Sequence, residues 1–152
     1  MSSDMVCLVF EFQEEYKRLD RLCKETYSSA NGVTEYINQM ERHWYKYQRC
    51  VDEWEEDYKE LKHVRWVRNQ LAHEVGALEM GICTSEDLIY VKDFHQRILK
   101  SEDPLALGRK AVEEENRHKY TIKECQRTNK QKENPSFIKK IFAKIKRFFM
   151  GE

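Results

Sequence analysis

The sequence predicts an all-α protein: a four-helix bundle over residues 1–108, a charged connector over residues 109–134 and a basic amphipathic helix over residues 135–152. Three observations predict this fold class. The 152 residues include only 5 glycines and 2 prolines, 36% of them are charged, and apolar residues recur at spacings of three and four. Few helix breakers, together with a period near 3.6, are typical of packed amphipathic helices.

The first two helices are indicated by apolar spacing and by the turn between them. The first is predicted over about residues 4–27, where the apolar positions follow helical spacing: Met5, Val9, Phe12, Tyr16, Leu19 and Cys23. Residues 28–32 have the composition of a turn, and Thr34 is expected to cap the second helix. That helix carries the apolar residues Tyr36, Ile37, Met40, Trp44 and Tyr47, and a break is expected over residues 48–52.

The third helix is predicted over about residues 53–75, because no glycine or proline interrupts before Gly76, which is expected to stop it. Its apolar stripe comprises Leu61, Val64, Leu71 and Val75. Thr84 stands three residues before Asp87, a spacing that predicts a capping box for a fourth helix. The apolar face of that helix comprises Leu88, Val91, Phe94 and Ile98, and the helix is expected to end before Pro104.

The last 44 residues are predicted to be different in character. Residues 109–134 are mostly polar or charged, which predicts a solvated helix or a disordered connector. Residues 135–152 have one apolar and one basic helical face, formed by Phe137, Ile138, Ile141, Phe142, Ile145, Phe148 and Phe149 and by Lys139, Lys140, Lys146 and Arg147. Such a helix either docks on the body as a fifth helix or adsorbs to an anionic membrane surface.

Charge and cysteine usage narrow the class of protein. The net charge is zero, but residues 1–108 hold 14 Lys/Arg against 21 Asp/Glu and residues 109–152 hold 13 against 6. A basic end suggests contact with the acidic body or with an anionic partner, nucleic acid or lipid. The 5 cysteines are scattered, which predicts reduced, mostly buried thiols in a cytoplasmic protein and neither a metal site nor a cofactor. Because the N-terminus lacks a basic n-region and the apolar runs are short, neither a secretory signal nor a membrane-spanning helix is expected.

One segment of the third helix carries candidate chemistry. Arg68 takes the place between Val64 and Leu71 where the stripe calls for an apolar residue, and a guanidinium in a core is costly unless it is paired or has a task. Asn69 and His73 are four residues apart, so they lie one above the other on a neighbouring face. Because an arginine reaches across faces, a cation, an amide and an imidazole are expected near a common point.

These three groups suit cleavage of a phosphodiester bond in RNA. His73 is the candidate general acid or base near neutral pH. Arg68 is the candidate clamp for the phosphate and for the charge that builds at phosphorus, and Asn69 positions a hydroxyl or orients the histidine. Since one histidine does not readily act as both acid and base, a homodimer with two-fold symmetry is expected to supply the second.

The string Arg68-Asn69-Gln70-Leu71-Ala72-His73 resembles the Arg-x4-6-His signature of the HEPN superfamily, in which a polar residue commonly follows the arginine. Segments 32–37, 65–74, 93–98 and 103–107 look like a family of small bacterial proteins related to that fold, so the resemblance covers about residues 10–108. It implies an HEPN-like bundle that dimerises through the motif helices, and metal-independent RNA cleavage in toxin or phage-defence settings. One departure is Val75, where the antitoxin-regulated branch carries a tyrosine that accepts adenylylation.

Other interpretations of the same residues stay open. Arg68 is alternatively an ion-pair partner of a carboxylate on the first or fourth helix, with the charge of His73 favouring the helix C-terminus. The motif alternatively serves dimerisation or RNA binding without cleavage. The alternative function is a non-enzymatic helical interaction module, peripheral to a membrane through residues 135–150.

Overall fold

The computed structural model describes residues 3–74, 76, 80–132, 139 and 144. They contain five long α-helices: α1 (Ser3–Tyr27), α2 (Val33–Tyr47), α3 (Trp54–His73), α4 (Ser85–Lys100) and α5 (Pro104–Lys132). No strand occurs among these residues. The predicted all-α class is confirmed.

The hydrophobic core lies in a compact unit that comprises residues 1–111. Within it α1 packs against α2 and α4, and α3 packs against α2 and α4. Each of these four helices contributes at least one fully buried large side chain, among them Phe12, Leu19, Tyr36, Trp54 and Phe94. The predicted apolar stripe of α1 is confirmed from Val9 to Cys23, where the five predicted positions are at most 5% exposed.

The turn between α1 and α2 is closed by a side chain of α1. The backbone N–H of Val33 donates to Oδ1 of Asp20 at 3.0 Å, which satisfies a free amide at the start of α2. Gly32 has φ +52°, and a Cβ at this residue would lie 1.9 Å from the Asp20 carboxylate. The prediction that Thr34 caps this helix is wrong, because α2 begins at Val33 and its capping acceptor comes from α1.

The fourth helix begins as the sequence predicts. The Asp87 N–H donates to Oγ1 of Thr84 at 3.2 Å, and the Thr84 N–H donates to Oδ2 of Asp87 at 2.8 Å, which completes the capping box. The helix ends at Lys100, before Pro104, and Ser101 takes a left-handed conformation with φ +56°.

Helix α5 starts inside the segment predicted to be the end of the bundle and runs through the predicted connector. Its first turn is anchored by the buried Asp103, whose Oδ1 accepts the Ala106 N–H at 3.2 Å and the hydroxyl of Tyr36. Pro104 thus occupies the first helical position, where its missing N–H costs nothing. From residue 113 to residue 127 every side chain is exposed, so the solvated-helix alternative holds for this part of the connector. Residues 112–152 form a second unit.

The predicted C-terminal helix falls almost entirely outside the described residues. Lys139 and Lys144 are both helical and exposed. The remaining members of the predicted membrane or partner surface lie outside the description: Phe137, Lys140, Ile141, Phe142, Ile145, Lys146, Arg147, Phe148 and Phe149. In the part of the chain that is described, no helix is long and apolar enough to cross a membrane.

Two expectations about buried residues are wrong. Val67, fully buried, continues the stripe of Leu61 and Val64, whereas Arg68 is exposed. A period of 3.6 residues allows the core position after Val64 to fall at either 67 or 68, and the apolar residue takes it. The cysteines are not mostly buried either: Cys23 and Cys83 are buried, and the other three are exposed.

Candidate functional site

The three motif residues lie in the last turns of α3, and all three are exposed. Arg68 donates from Nη1 to Oδ1 of Asn69 at 3.2 Å. His73 is the last residue of α3, and the following N–H, that of Glu74, closes the helix by donating to the Gln70 carbonyl at 2.9 Å. The arginine and the amide therefore act as one hydrogen-bonded pair, which leaves an exposed guanidinium with free donors.

A pocket of about 210 Å³ opens beside this pair. Arg68 and Asn69 line it together with Arg65, one turn earlier on the same helix face. The Arg65 side chain donates from Nη1 to Oγ1 of Thr34 across to α2, at the long distance of 3.4 Å. Two guanidinium groups thus share the α3 wall of one small cavity.

The opposite wall comes from α1 and from the α1–α2 turn. Helix α1 contributes Tyr16, Lys17 and Asp20, and the turn and the start of α2 contribute Asn31 and Thr34. Tyr16 is buried, at 5% exposure. Burial raises the pKa of this phenol well above its usual range, with a further increase from Asp20 that Arg68 and Arg65 oppose. The hydroxyl therefore stays protonated and keeps its O–H donor at every physiological pH.

The charges around the pocket are only partly compensated. Lys17 pairs with Glu14 at 2.7 Å, and Asp20 pairs with Lys24 at 2.8 Å. Within the described residues, neither Arg65 nor Arg68 forms an ion pair with a carboxylate. The alternative in which Arg68 is bound to an acidic residue of α1 or α4 is therefore wrong for this part of the chain. The net effect is a polar pocket with two uncompensated positive charges, suited to an anion.

His73 does not line this pocket, although Asn69, one turn before it, does. The single chain brings the predicted clamp and the predicted orienting amide together and leaves the imidazole outside the cavity. Trp66, one turn before Asn69 on α3, is 48% exposed. The side of α3 that carries Trp66, Asn69 and His73 is therefore exposed in the single chain.

The comparison with protein families covers the whole of this site. A family model matches residues 10–147, most of the chain. The chain belongs to DUF6548, a family of unknown function. The match extends from α1 through the pocket and the motif into the basic C-terminal segment. No curated protein and no solved structure shows significant similarity to this DUF6548 chain.

Of the eight residues that line the pocket, the sequence predicts Arg68 and Asn69, and two of the six others, Arg65 and Tyr16, carry a usable signal. Arg65 stands three residues before Arg68, a spacing that places both guanidinium groups on one helix face. Tyr16 belongs to the apolar stripe of α1 through its ring, but its hydroxyl needs a hydrogen-bond partner or water. A tyrosine in such a stripe therefore indicates a polar contact or a pocket at its tip.

His63 and Asp87 form a structural contact outside the motif. His63 lies 2.9 Å from Asp87, the residue that completes the α4 capping box, and its ring stacks on Trp66 with centroids 6.0 Å apart. No group of three or more His, Cys, Asp or Glu side chains in the described part of the chain is placed to hold a metal ion.

Proposed function

We propose that this chain is an HEPN-like, homodimeric RNA-binding protein that cleaves RNA without a metal ion, with Arg68 as phosphate clamp, Asn69 as orienting amide and His73 as general acid or base. One observation carries the proposal: Arg65 and Arg68 line a pocket beside Asn69 and have no carboxylate partner among the described residues. Two guanidinium groups side by side in one concave pocket favour an anion, because each offers planar, bidentate donors to phosphate oxygens.

The position of His73 supports a dimeric site over a monomeric one. Proton transfer requires the histidine within hydrogen-bond reach of the reacting oxygen, and His73 lies outside the pocket of its own chain. The exposed face with Trp66 gives a second copy a surface on which to pack. A two-fold contact along this face would bring the histidine of one chain toward the arginines of the other.

The test is RNA cleavage by the purified full-length protein in excess EDTA, on both single-stranded and structured RNA. We expect wild type to cut, His73→Ala to lose at least about a hundredfold in rate, since general acid–base groups contribute that much, and Arg68→Ala to lose both affinity and rate. Matched controls are Arg21→Ala on the exposed side of α1 and His118→Ala on α5. These should behave as wild type.

The outcomes separate the alternatives. RNA binding without cleavage in wild type would favour a non-enzymatic RNA-binding module. Absence of both binding and cleavage would overturn the proposal, and light scattering that gives a monomer at tens of micromolar would remove the dimeric site.

A further inference from the structure

The pocket contains an unused donor that the RNA-cleavage motif does not include. Tyr16 is 95% buried, and no hydrogen bond to its hydroxyl occurs among the described residues, yet this oxygen is not one of their solvent-inaccessible unpaired atoms, such as Trp54 Nε1. Because Tyr16 lines the pocket, we take its hydroxyl to be accessible from the cavity. A ligand oxygen in the pocket would replace the water that this O–H otherwise binds.

The electrostatics of the pocket favour an anion on the α3 side. Arg65 and Arg68 bring two full charges, while Lys17 is neutralised by Glu14. The one carboxylate in the wall, Asp20, is held by Lys24 at 2.8 Å and by the Val33 N–H at 3.0 Å. An anion therefore meets both guanidinium groups and is kept away from the Asp20 side.

The size of the cavity limits the group that enters. About 210 Å³ lies below the roughly 300–1,000 Å³ of pockets that hold whole drug-sized molecules. A single tetrahedral group fits this space, and a larger ligand would extend out of the pocket. The hydrogen-bond donors around it are two planar guanidinium groups and a phenol. A ligand group that satisfies all of them needs several terminal oxygens bonded to one central atom.

A phosphate monoester meets these demands better than an internal phosphodiester. It presents three terminal oxygens and a charge of about −1.5 to −2 at pH 7, whereas a diester has two free oxygens and chain on both sides.

We infer that this pocket is a receptor for a phosphate monoester, the phosphorylated end of an RNA strand, with Tyr16 and Arg65 as ligand-binding residues alongside Arg68. The inference rests on the proposed function for its choice of RNA. The shared chemistry also fits a free nucleoside monophosphate or inorganic phosphate. The strand end would then be held in the pocket while the body of the RNA runs along the exposed face of α3.

The experiment measures affinity of the full-length protein for ten-residue oligouridylates with a 5′-phosphate, a 3′-phosphate or hydroxyls at both ends, in EDTA and at one salt concentration. We expect one phosphorylated end to bind about tenfold more tightly than hydroxyl ends, the gain typical of hydrogen bonds to a charged group. Tyr16→Phe keeps the charge of the pocket and should remove this preference by weakening binding of the phosphorylated strands, whereas Arg65→Gln should remove the preference and also weaken binding of the hydroxyl-ended strand, because it deletes a positive charge that meets RNA. Controls are Tyr45→Phe, at a residue 88% exposed, and Arg21→Gln.

Competition by inorganic phosphate and by uridine monophosphate separates the sources of the phosphate. If neither competes at millimolar concentration and the phosphorylated decamer is preferred, the strand end is the ligand. If either binds as tightly as the decamer, with loss in Tyr16→Phe, the pocket stands as a phosphate site but its RNA assignment is overturned. Equal affinity for all three decamers and no competition by phosphate overturns the pocket inference, while binding of the hydroxyl-ended strand would still support the RNA function.

Discussion

The charged side chains at the two ends of α3 differ in burial and in pairing. Near its start, Asp57 is buried and fully matched: Oδ2 accepts from Nη1 of Arg97 at 2.8 Å, and Oδ1 accepts the Tyr90 hydroxyl at 3.2 Å. Arg97 also pairs with Asp93 at 2.9 Å and packs over the ring of Phe94. Near the end of the same helix, Arg65 and Arg68 face a pocket with no carboxylate to match them among the described residues.

The charges of Asp57 and Arg97 stabilise the fold together, whereas the charges of Arg65 and Arg68 are not needed for its stability. A buried carboxylate is stable only when its partners are all present, so Asp57, Tyr90 and Arg97 form a unit within the core. The arginines of the pocket keep their charge in contact with solvent and contribute little to packing. The fold therefore does not need these two charges for its own charge balance among the described residues, which is what the proposed anionic ligand requires.

The largest effect on the free energy of unfolding is expected near the start of α3, where Asp57 pairs with Arg97. Arg97→Ala leaves Asp57 buried without its cation and should lower the free energy of unfolding by about 3 kcal/mol, the lower part of the range for broken buried pairs because Arg97 is partly exposed. Urea denaturation monitored by circular dichroism measures this loss. The double variant Asp57→Leu/Arg97→Met, which removes both charges, should recover much of it. A double variant no more stable than Arg97→Ala would show that packing, and not the unpaired charge, causes the loss.

An intermediate effect is expected where α5 joins the core. Tyr36 is 1% exposed and donates its hydroxyl to Asp103, which caps α5. Tyr36→Phe leaves that buried carboxylate with one donor fewer and should cost about 2 kcal/mol in the free energy of unfolding. Tyr45→Phe, at an exposed position on the same helix, is the matched control and should leave the unfolding midpoint unchanged. Equal midpoints for the two variants would show that the Asp103 anchor does not depend on Tyr36.

Much of this fold is predictable from spacing, and the errors share a physical cause. The stripe from Val9 to Cys23 and the Thr84 cap depend on contacts within a few residues, and both are confirmed. The start of α2 was misplaced because its capping acceptor, Asp20, comes from another helix. The prediction that α4 ends before Pro104 is confirmed, but the same residue also begins α5, because Asp103 provides the cap.

The candidate site was predictable only in part, for a related reason. Arg68 and Asn69 are adjacent in the sequence and adjacent in the pocket, so local reasoning found them. The role of Tyr16 depends on the juxtaposition of α1 with α3, which no spacing within α1 reveals. The assumed core position of Arg68 failed because helical periodicity alone does not distinguish position 67 from position 68. The hydrophobicity of Val67 decides between them.

The smallest effect on stability is expected at Arg68. This expectation is the main test of the difference between the two ends of α3. Arg68→Ala removes the same side chain as Arg97→Ala, from the same core-forming unit, but at a position where the guanidinium is exposed and has only Asn69 as a hydrogen-bond partner. The free energy of unfolding should therefore change by no more than about 0.5 kcal/mol, the usual range for surface substitutions.

Affinity of the Arg68→Ala variant for RNA should fall at the same time, and the slope of log K against log salt should be reduced by about one phosphate contact. Parallel urea curves and salt titrations of the two alanine variants measure both quantities. A loss of stability at Arg68 as large as that at Arg97 would mean that the guanidinium is held by the fold after all, and the argument from uncompensated charge to an anionic ligand would then fail.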